Sequence, residues 1–344
     1  MHKLVEHLEA SGLNPVVIDE NTEFPPLSPF LPGTNIQYAW DSTSLGNLKR
    51  CPRLYQYINL EGYEEKDESI HLRFGIEVHA SYANYEIARA EGMTHDEALS
   101  ETVYYLLQRM ADWDPDRESK AGRKKNPETL LRTVIQYLDA HEHDEAKTLL
   151  WRDGTPAVEQ SFRFELDWGP DTARNEKGHW TPDQPYVLCG HLDKIVEYQG
   201  EKFVMDHKTT TRQLYQSYFD QYEPDNQMTL YTLASKVVLN SPVRGVIINA
   251  AEIGVGYSRF ARGITYRTPD QLEEWLDDLK TILREAEQYA RDGRWPMRDT
   301  SCDKYGGCKF REVCSQSPKS RQRFLNAGFN KLPENERWNP LRTR

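Results

Sequence analysis

The sequence predicts an α/β protein in which helices flank a mixed central sheet and a helical part precedes it. Three observations carry this. Apolar residues follow helical spacing through most of residues 41–150. Strict alternation begins at Ala157. From there strands and helices succeed one another to about residue 291.

The elements read as follows. Residues 1–40 are irregular, with Pro25, Pro26, Pro29 and Pro32 clustered. Asp41 to Ser44 reads as a helix cap, followed by Leu45, Leu48 and Cys51, with a break at Pro52. Residues 70–91, which include His79, 94–112 and 127–150 read as three helices. A basic loop containing Lys120, Arg123 and Lys124 joins the last two. AVEQSFRFEL (157–166) is a strand whose polar face carries Glu159, and a Gly- and Pro-containing insertion follows at 168–185. A hairpin spans 186–211. Residues 225–239 form an amphipathic helix capped by Asp225, with Gln227 and Tyr231 four apart on one face. Strands at 244–253 and 257–266 and a helix at 269–291 follow. A cysteine-containing stretch and a basic tail, 317–344, close the chain.

Composition bounds the function. A chain of 344 residues with 38% hydrophobic and 11% aromatic content can bury a substantial core. A mean hydropathy of -0.78 and 28% charged residues point to a soluble protein. No apolar run approaches the roughly 18 residues of a membrane span. The N-terminal apolar positions are interrupted by Glu and His, unlike a signal peptide. A cytoplasmic location, bacterial or viral in a host cell, is the expectation. The net charge of -11 counts against nucleic acid as a partner, but the local basic patches can still hold a polyanion.

The hairpin YVLCGHLDKIVEYQGEKFVMDHKTTT concentrates the chemistry. With Gln199-Gly200 at the tip, residues whose numbers sum to 399 face each other. Asp193 then opposes Asp206, and His191 opposes Lys208. Like charges facing across a ladder repel, so the pair calls for a cation, and hard carboxylate oxygens suit Mg2+ or Mn2+.

In order along the chain, His79, Glu159, Gly190-His191-Leu192-Asp193, Asp206-His207-Lys208 and Gln227-x-x-x-Tyr231 resemble the PD-(D/E)XK nucleases. The likeness is greatest to the RecB-like branch, with its CRISPR-associated iron–sulfur exonucleases and the AddB nuclease domain. It spans about residues 45–315. The resemblance implies a restriction-endonuclease-like core over 41–300 with a helical insertion at about 92–150. It implies that Asp193, Asp206, His79 and the main-chain carbonyl of His207 bind the catalytic metal. Lys208 would orient or deprotonate the attacking water and stabilise the transition state. Gln227 and Tyr231 would position DNA, and Glu159 matches the upstream acidic position most loosely.

Five cysteines remain to be placed. In a reducing compartment they suggest metal rather than disulfides. Cys189, within a strand, reads as buried and apolar. Iron–sulfur members of the branch place one cysteine before the core and three after it. The resemblance therefore implies that Cys51, Cys302, Cys308 and Cys314 hold a [4Fe–4S] cluster, joining the 301–316 region to Cys51 as a C-terminal staple. Four thiolates suit Zn2+ equally on ligand count, and the C-x5-C-x5-C spacing departs from the close CxxC of many members.

The implied activity is a Mg2+/Mn2+-dependent DNA exonuclease acting on single-stranded DNA or end-bearing duplex in recombination, repair or phage DNA metabolism, with a recombination or replication protein as a possible partner. The alternatives are a non-catalytic DNA-end-binding subunit and a restriction-type endonuclease.

Overall fold

The computed structural model of the protein describes residues 28–174, 180–182, 184–303 and 307–342. Residues 1–27, most of the stretch read as irregular, lie outside them. So do part of the 168–185 insertion, residues 304–306 between the cysteines, and the last two residues of the tail. The elements are β1 (Ala39–Trp40), α1 (Ser42–Arg50), α2 (Pro52–Tyr55), β2 (Tyr63–Glu65), α3 (Ile70–Ala90), α4 (His95–Arg109), α5 (Pro127–Ala140), β3 (Lys147–Thr148), β4 (Val158–Glu165), β5 (Asp171–Arg174) and β6 (Trp180–Pro182). They continue with β7 (Val187–Tyr198), β8 (Glu201–Thr210), α6 (Gln216–Phe219), α7 (Asn226–Leu239), β9 (Gly245–Ile253), β10 (Ser258–Thr265), α8 (Pro269–Asp292), α9 (Arg311–Ser315), α10 (Arg321–Gly328) and β11 (Phe329–Lys331). The described residues fall into two compact units. One takes 68–160 and 191–267; the other takes what is described of 1–67, 161–190 and 268–344.

The first unit is built on a mixed sheet. β8 runs antiparallel to β7 and parallel to β9, and β10 returns antiparallel to β9. All nine residues of β9 are buried, as a strand covered on both faces requires. Alternation along β8 places helices on each side. The His207 ring meets Tyr82 of α3 and Tyr137 of α5, while Lys208 meets Gln227 of α7. Phe74, Val78, Leu106, Leu130, Val134 and Ile253 form the core between α3, α4, α5 and the sheet. Polar caps set the helix starts. Ser69 accepts from Leu72 N, Thr94 and Glu97 make a capping box, and Asn126 precedes Pro127 at the first helical position. Asp225 caps α7 by accepting from Met228 N.

The helix expected over 127–150 ends at Ala140. The His141 ring bonds back to the Tyr137 carbonyl, Asp144 accepts from Ala146 N, and Lys147–Thr148 pairs with the edge of β7. Strand pairing there overrides the helical propensity of the sequence.

In the second unit, β1 lies parallel to the start of β7, with Ala39 beside Val187. Asp41 and Ser44 form a capping box on α1. Cys51 ends that helix in an extended conformation, and Pro52 opens α2. The stretch expected as a basic tail is folded through residue 342. After α10, β11 pairs antiparallel with β2, Arg337 Nη1 donates to the Leu60 carbonyl at 2.8 Å, and Trp338 Nε1 donates to Asp41 Oδ2 at 3.1 Å. No helix of the described residues is long and apolar enough to cross a membrane.

Candidate active site

The hairpin forms as its alternation requires. Gln199 and Gly200 both have positive φ, +52° and +77°, the signature of a two-residue turn whose twist matches the strands. The 399 register holds from Tyr198↔Glu201 to Lys194↔Met205. The expected direct pairs Asp193–Asp206 and His191–Lys208 lie beyond this paired stretch. There the Asp193 side chain takes over: its Oδ2 accepts the His207 backbone N–H at 2.8 Å.

Five elements then converge. From α3, His79 brings Nδ1 to 3.4 Å from Asp193 Oδ1 and Nε2 to 3.0 Å from the His207 carbonyl. Ligand atoms of His79, Glu159 and Asp193 lie within 4.8 Å of one another. Glu159 joins them from a left-handed backbone (φ +47°), a conformation that costs an ordinary residue about 1–3 kcal/mol. Strand alternation alone does not foresee this turn of the backbone. Lys208 Nζ donates to Asp206 Oδ1 at 2.9 Å and to Gln227 Oε1 at 2.8 Å. Gln227 Nε2 in turn donates to Tyr231 OH at 3.0 Å. Sequence-nominated residues from β4, β7, β8, α3 and α7 thus share one locality, although Asp206 stands outside the 4.8 Å group.

The electrostatics follow from burial. Asp206, 1% exposed, has its carboxyl pushed up to about 6 by desolvation, reinforced by the Asp193 charge and opposed by Lys208. For Asp193, burial pushes upward too, but His79, His207 and Lys208 together hold the carboxyl below the usual range. Burial opposes charge on Lys208, yet Asp206 and Asp193 keep it protonated. His79 is likewise raised despite burial, by Asp193 and Glu159, and both its ring nitrogens face oxygen.

A divalent cation fits this donor set. His79 lies among the oxygens that would hold such an ion, with Asp193 on one ring nitrogen, the His207 carbonyl on the other and Glu159 nearby. Asp206 Oδ2 is buried beside Lys208 Nζ, at 2.7 Å, without hydrogen-bond geometry. Carboxylates, a carbonyl and an imidazole suit Mg2+ or Mn2+.

The four distant cysteines also meet, within the second unit. Cys51, Cys302, Cys308 and Cys314 line one pocket with Arg50, Arg53, Arg298, Arg311, Tyr57 and Phe310. The thiols are free and half-buried. Arg298 N donates to Cys51 Sγ at 3.3 Å, and Cys308 N donates to the Cys302 carbonyl at 2.8 Å. Burial, then the neighbouring thiols Cys308 and Cys51, push the Cys302 thiol up. Cys189 is buried apart, its Sγ donating to the Trp40 carbonyl at 3.5 Å.

Some neighbours of the site escaped the sequence reading. Tyr222 OH donates to Tyr218 OH at 3.3 Å, and Tyr218 lies close enough to feel the charges of Lys208 and Asp206. The aromatic run Tyr215, Tyr218, Phe219, Tyr222 was the available signal. Asn249, a polar residue inside the apolar run GVIINAAEI, was another.

The family model of the PD-(D/E)XK nuclease superfamily matches residues 40–315, and the chain belongs to that superfamily. No curated protein gives a significant match.

Proposed function

We propose that the protein is a Mg2+- or Mn2+-dependent deoxyribonuclease of the RecB-like type that digests DNA from an end. The observation that carries this is the convergence of His79, Glu159 and Asp193 beside a lysine clamped by Asp206 and Gln227. His79, Glu159, Asp193, Asp206 and the His207 carbonyl would hold the ion. When bound, it supplies Lewis-acid polarisation of water and of the phosphodiester.

The chain's own groups do the rest. Lys208 stays charged and places its ammonium where negative charge grows on the phosphate oxygens. Gln227 fixes the Lys208 rotamer, and Tyr231 fixes Gln227. Basic residues gather at the C-terminal end of β8, where a phosphate backbone would run. Lys124 Nζ reaches the Thr211 carbonyl at 3.4 Å, and the exposed Arg212 lies 5.7 Å from the Tyr218 ring.

The four thiols would hold a [4Fe–4S] cluster with a structural role. The support for this is that the four thiols, far apart in sequence, line one pocket. Four thiolates suit Zn2+ equally on ligand count, and zinc is the alternative. Closing a loop of about 250 residues would constrain the unfolded chain strongly.

The test is incubation with end-labelled linear DNA and covalently closed duplex, with Mn2+ and with EDTA. Linear DNA should be digested from its ends, closed duplex should resist, and EDTA should stop the reaction. Cutting of closed duplex at defined sequences would select the restriction-type endonuclease. End binding without hydrolysis in any divalent metal would select the non-catalytic subunit.

A further inference from the structure

Asn249 lies at the centre of β9, in register beside His207 of β8, and is 3% exposed. A buried amide needs partners for its oxygen and for both its hydrogens. Its Oδ1 accepts from Arg262 Nε at 3.0 Å. A guanidinium only donates, so this bond fixes which way the amide points. Nδ2 must then face inward, where it donates to Tyr137 OH at 2.8 Å and to His207 Nδ1 at 2.8 Å. Arg262 is itself held by Asp144, with Nη1 donating to Oδ1 at 2.7 Å and Nη2 pairing with Oδ2. A polarised chain therefore runs Asp144, Arg262, Asn249, His207.

The chain ends on a residue whose two sides do different things. The His207 ring points away from Asp206 and Lys208 because strand side chains alternate. Its peptide groups face the site: the N–H donates to Asp193 Oδ2 and the carbonyl accepts from His79 Nε2. Swinging that carbonyl would break the ring's bond to Asn249. The edge-to-face packing of the ring on Tyr82, at 4.9 Å, adds bulk but no hydrogen bond to set its rotation.

We propose that Asn249 is a positioning residue: by anchoring the His207 ring it aims the His207 carbonyl, beside His79 and Asp193, at the divalent-cation site. Arg262 and Asp144 orient the amide that does the anchoring. The inference rests on the metal-dependent reading of that site.

The test is calorimetric Mn2+ binding to the full-length chain and to Asn249→Leu, Asp144→Asn and Tyr137→Phe, each with its melting curve. Partners in the shell outside metal ligands typically set about 10–100-fold of affinity, so Asn249→Leu should bind Mn2+ at least about tenfold more weakly. Asp144→Asn loosens Arg262 from a half-buried position and should weaken binding about threefold; it keeps the inference testable if Asn249→Leu does not fold. Tyr137→Phe removes the amide's other partner and spares the bond to His207. It should bind like the parent within about twofold, whatever its melting temperature. Undiminished affinity in folded Asn249→Leu, or in Asp144→Asn where Asn249→Leu does not fold, overturns the inference. Equal losses in Asn249→Leu and Tyr137→Phe overturn it too. A parent protein that binds no Mn2+ overturns the metal reading itself and removes the ground for the inference.

Discussion

The Asp193–Lys208 site and the four-thiol pocket are held together by different forces. In the first, charged and polar side chains pair with one another. Lys208 is clamped by Asp206 and Gln227, and His79 by Asp193 and the His207 carbonyl. In the second, the backbone and apolar neighbours bring four free thiols together. Cys51 sits at the junction of α1 and α2, and Cys308 and Cys314 pack against Tyr57, Phe310 and Val313. Ionised, those thiols offer one another only repulsion. The carboxylate site should therefore keep its shape when emptied and lose only its chemistry. The thiol pocket should lose stability when whatever joins it is removed.

The largest effect that would break this contrast lies at the hairpin. Lys208→Ala and Asp193→Ala should each lower the cleavage rate about a thousandfold, roughly 4 kcal/mol of barrier. Binding of end-labelled DNA, read by gel shift, should persist. A loss of folding instead of rate would show that this site is structural as well.

The thiol pocket should respond in the opposite sense. Alanine at Cys51, Cys302, Cys308 or Cys314 should remove bound iron and lower the melting temperature by about 10 °C, as expected of losing a cross-link over a long loop. The initial rate of the protein that remains folded should change little. Cys189→Ala should keep the iron. One zinc per chain would keep the staple and change its metal; no metal with unchanged melting would remove it.

A smaller effect separates the second layer of the hairpin site. Gln227→Leu takes one of two acceptors from the Lys208 ammonium and should lower the rate about tenfold. Tyr231→Phe removes a single neutral hydrogen bond and should lower it about threefold. Equal losses would mean that the two act as one unit.

Acidity sharpens the same comparison. The folded Asp206 carboxyl is raised from 3.8 to about 6, so its contribution to stability is present below 3.8 and lost as pH rises through about 6. A cation relieves that loss by favouring the carboxylate. The rise in melting temperature produced by Mn2+ should be small at about pH 5 and full by about pH 7.5. A rise independent of pH would show that Asp206 does not face the ion.

Much of this was legible before any coordinates. The turn at Gln199-Gly200 and the alternation on either side placed the hairpin and most of its register, and caps at Asp41 and Asp225 marked helix starts where they occur. What escaped depends on non-local contacts. The reversal at Glu159 is a backbone conformation with no glycine to announce it. Residues 141–150 carry helical propensity, yet their strand pairs with β7. The Asn249 relay joins α5, β8, β9, β10 and Asp144, and it becomes visible only once β9 lies beside β8.

The account stands most directly on one measurement: the rate at which Asp206→Ala digests end-labelled linear DNA in saturating Mn2+, read beside its melting curve. The account predicts a loss of about a thousandfold with a melting temperature within about 3 °C of the parent. Digestion at near the parent rate would contradict it.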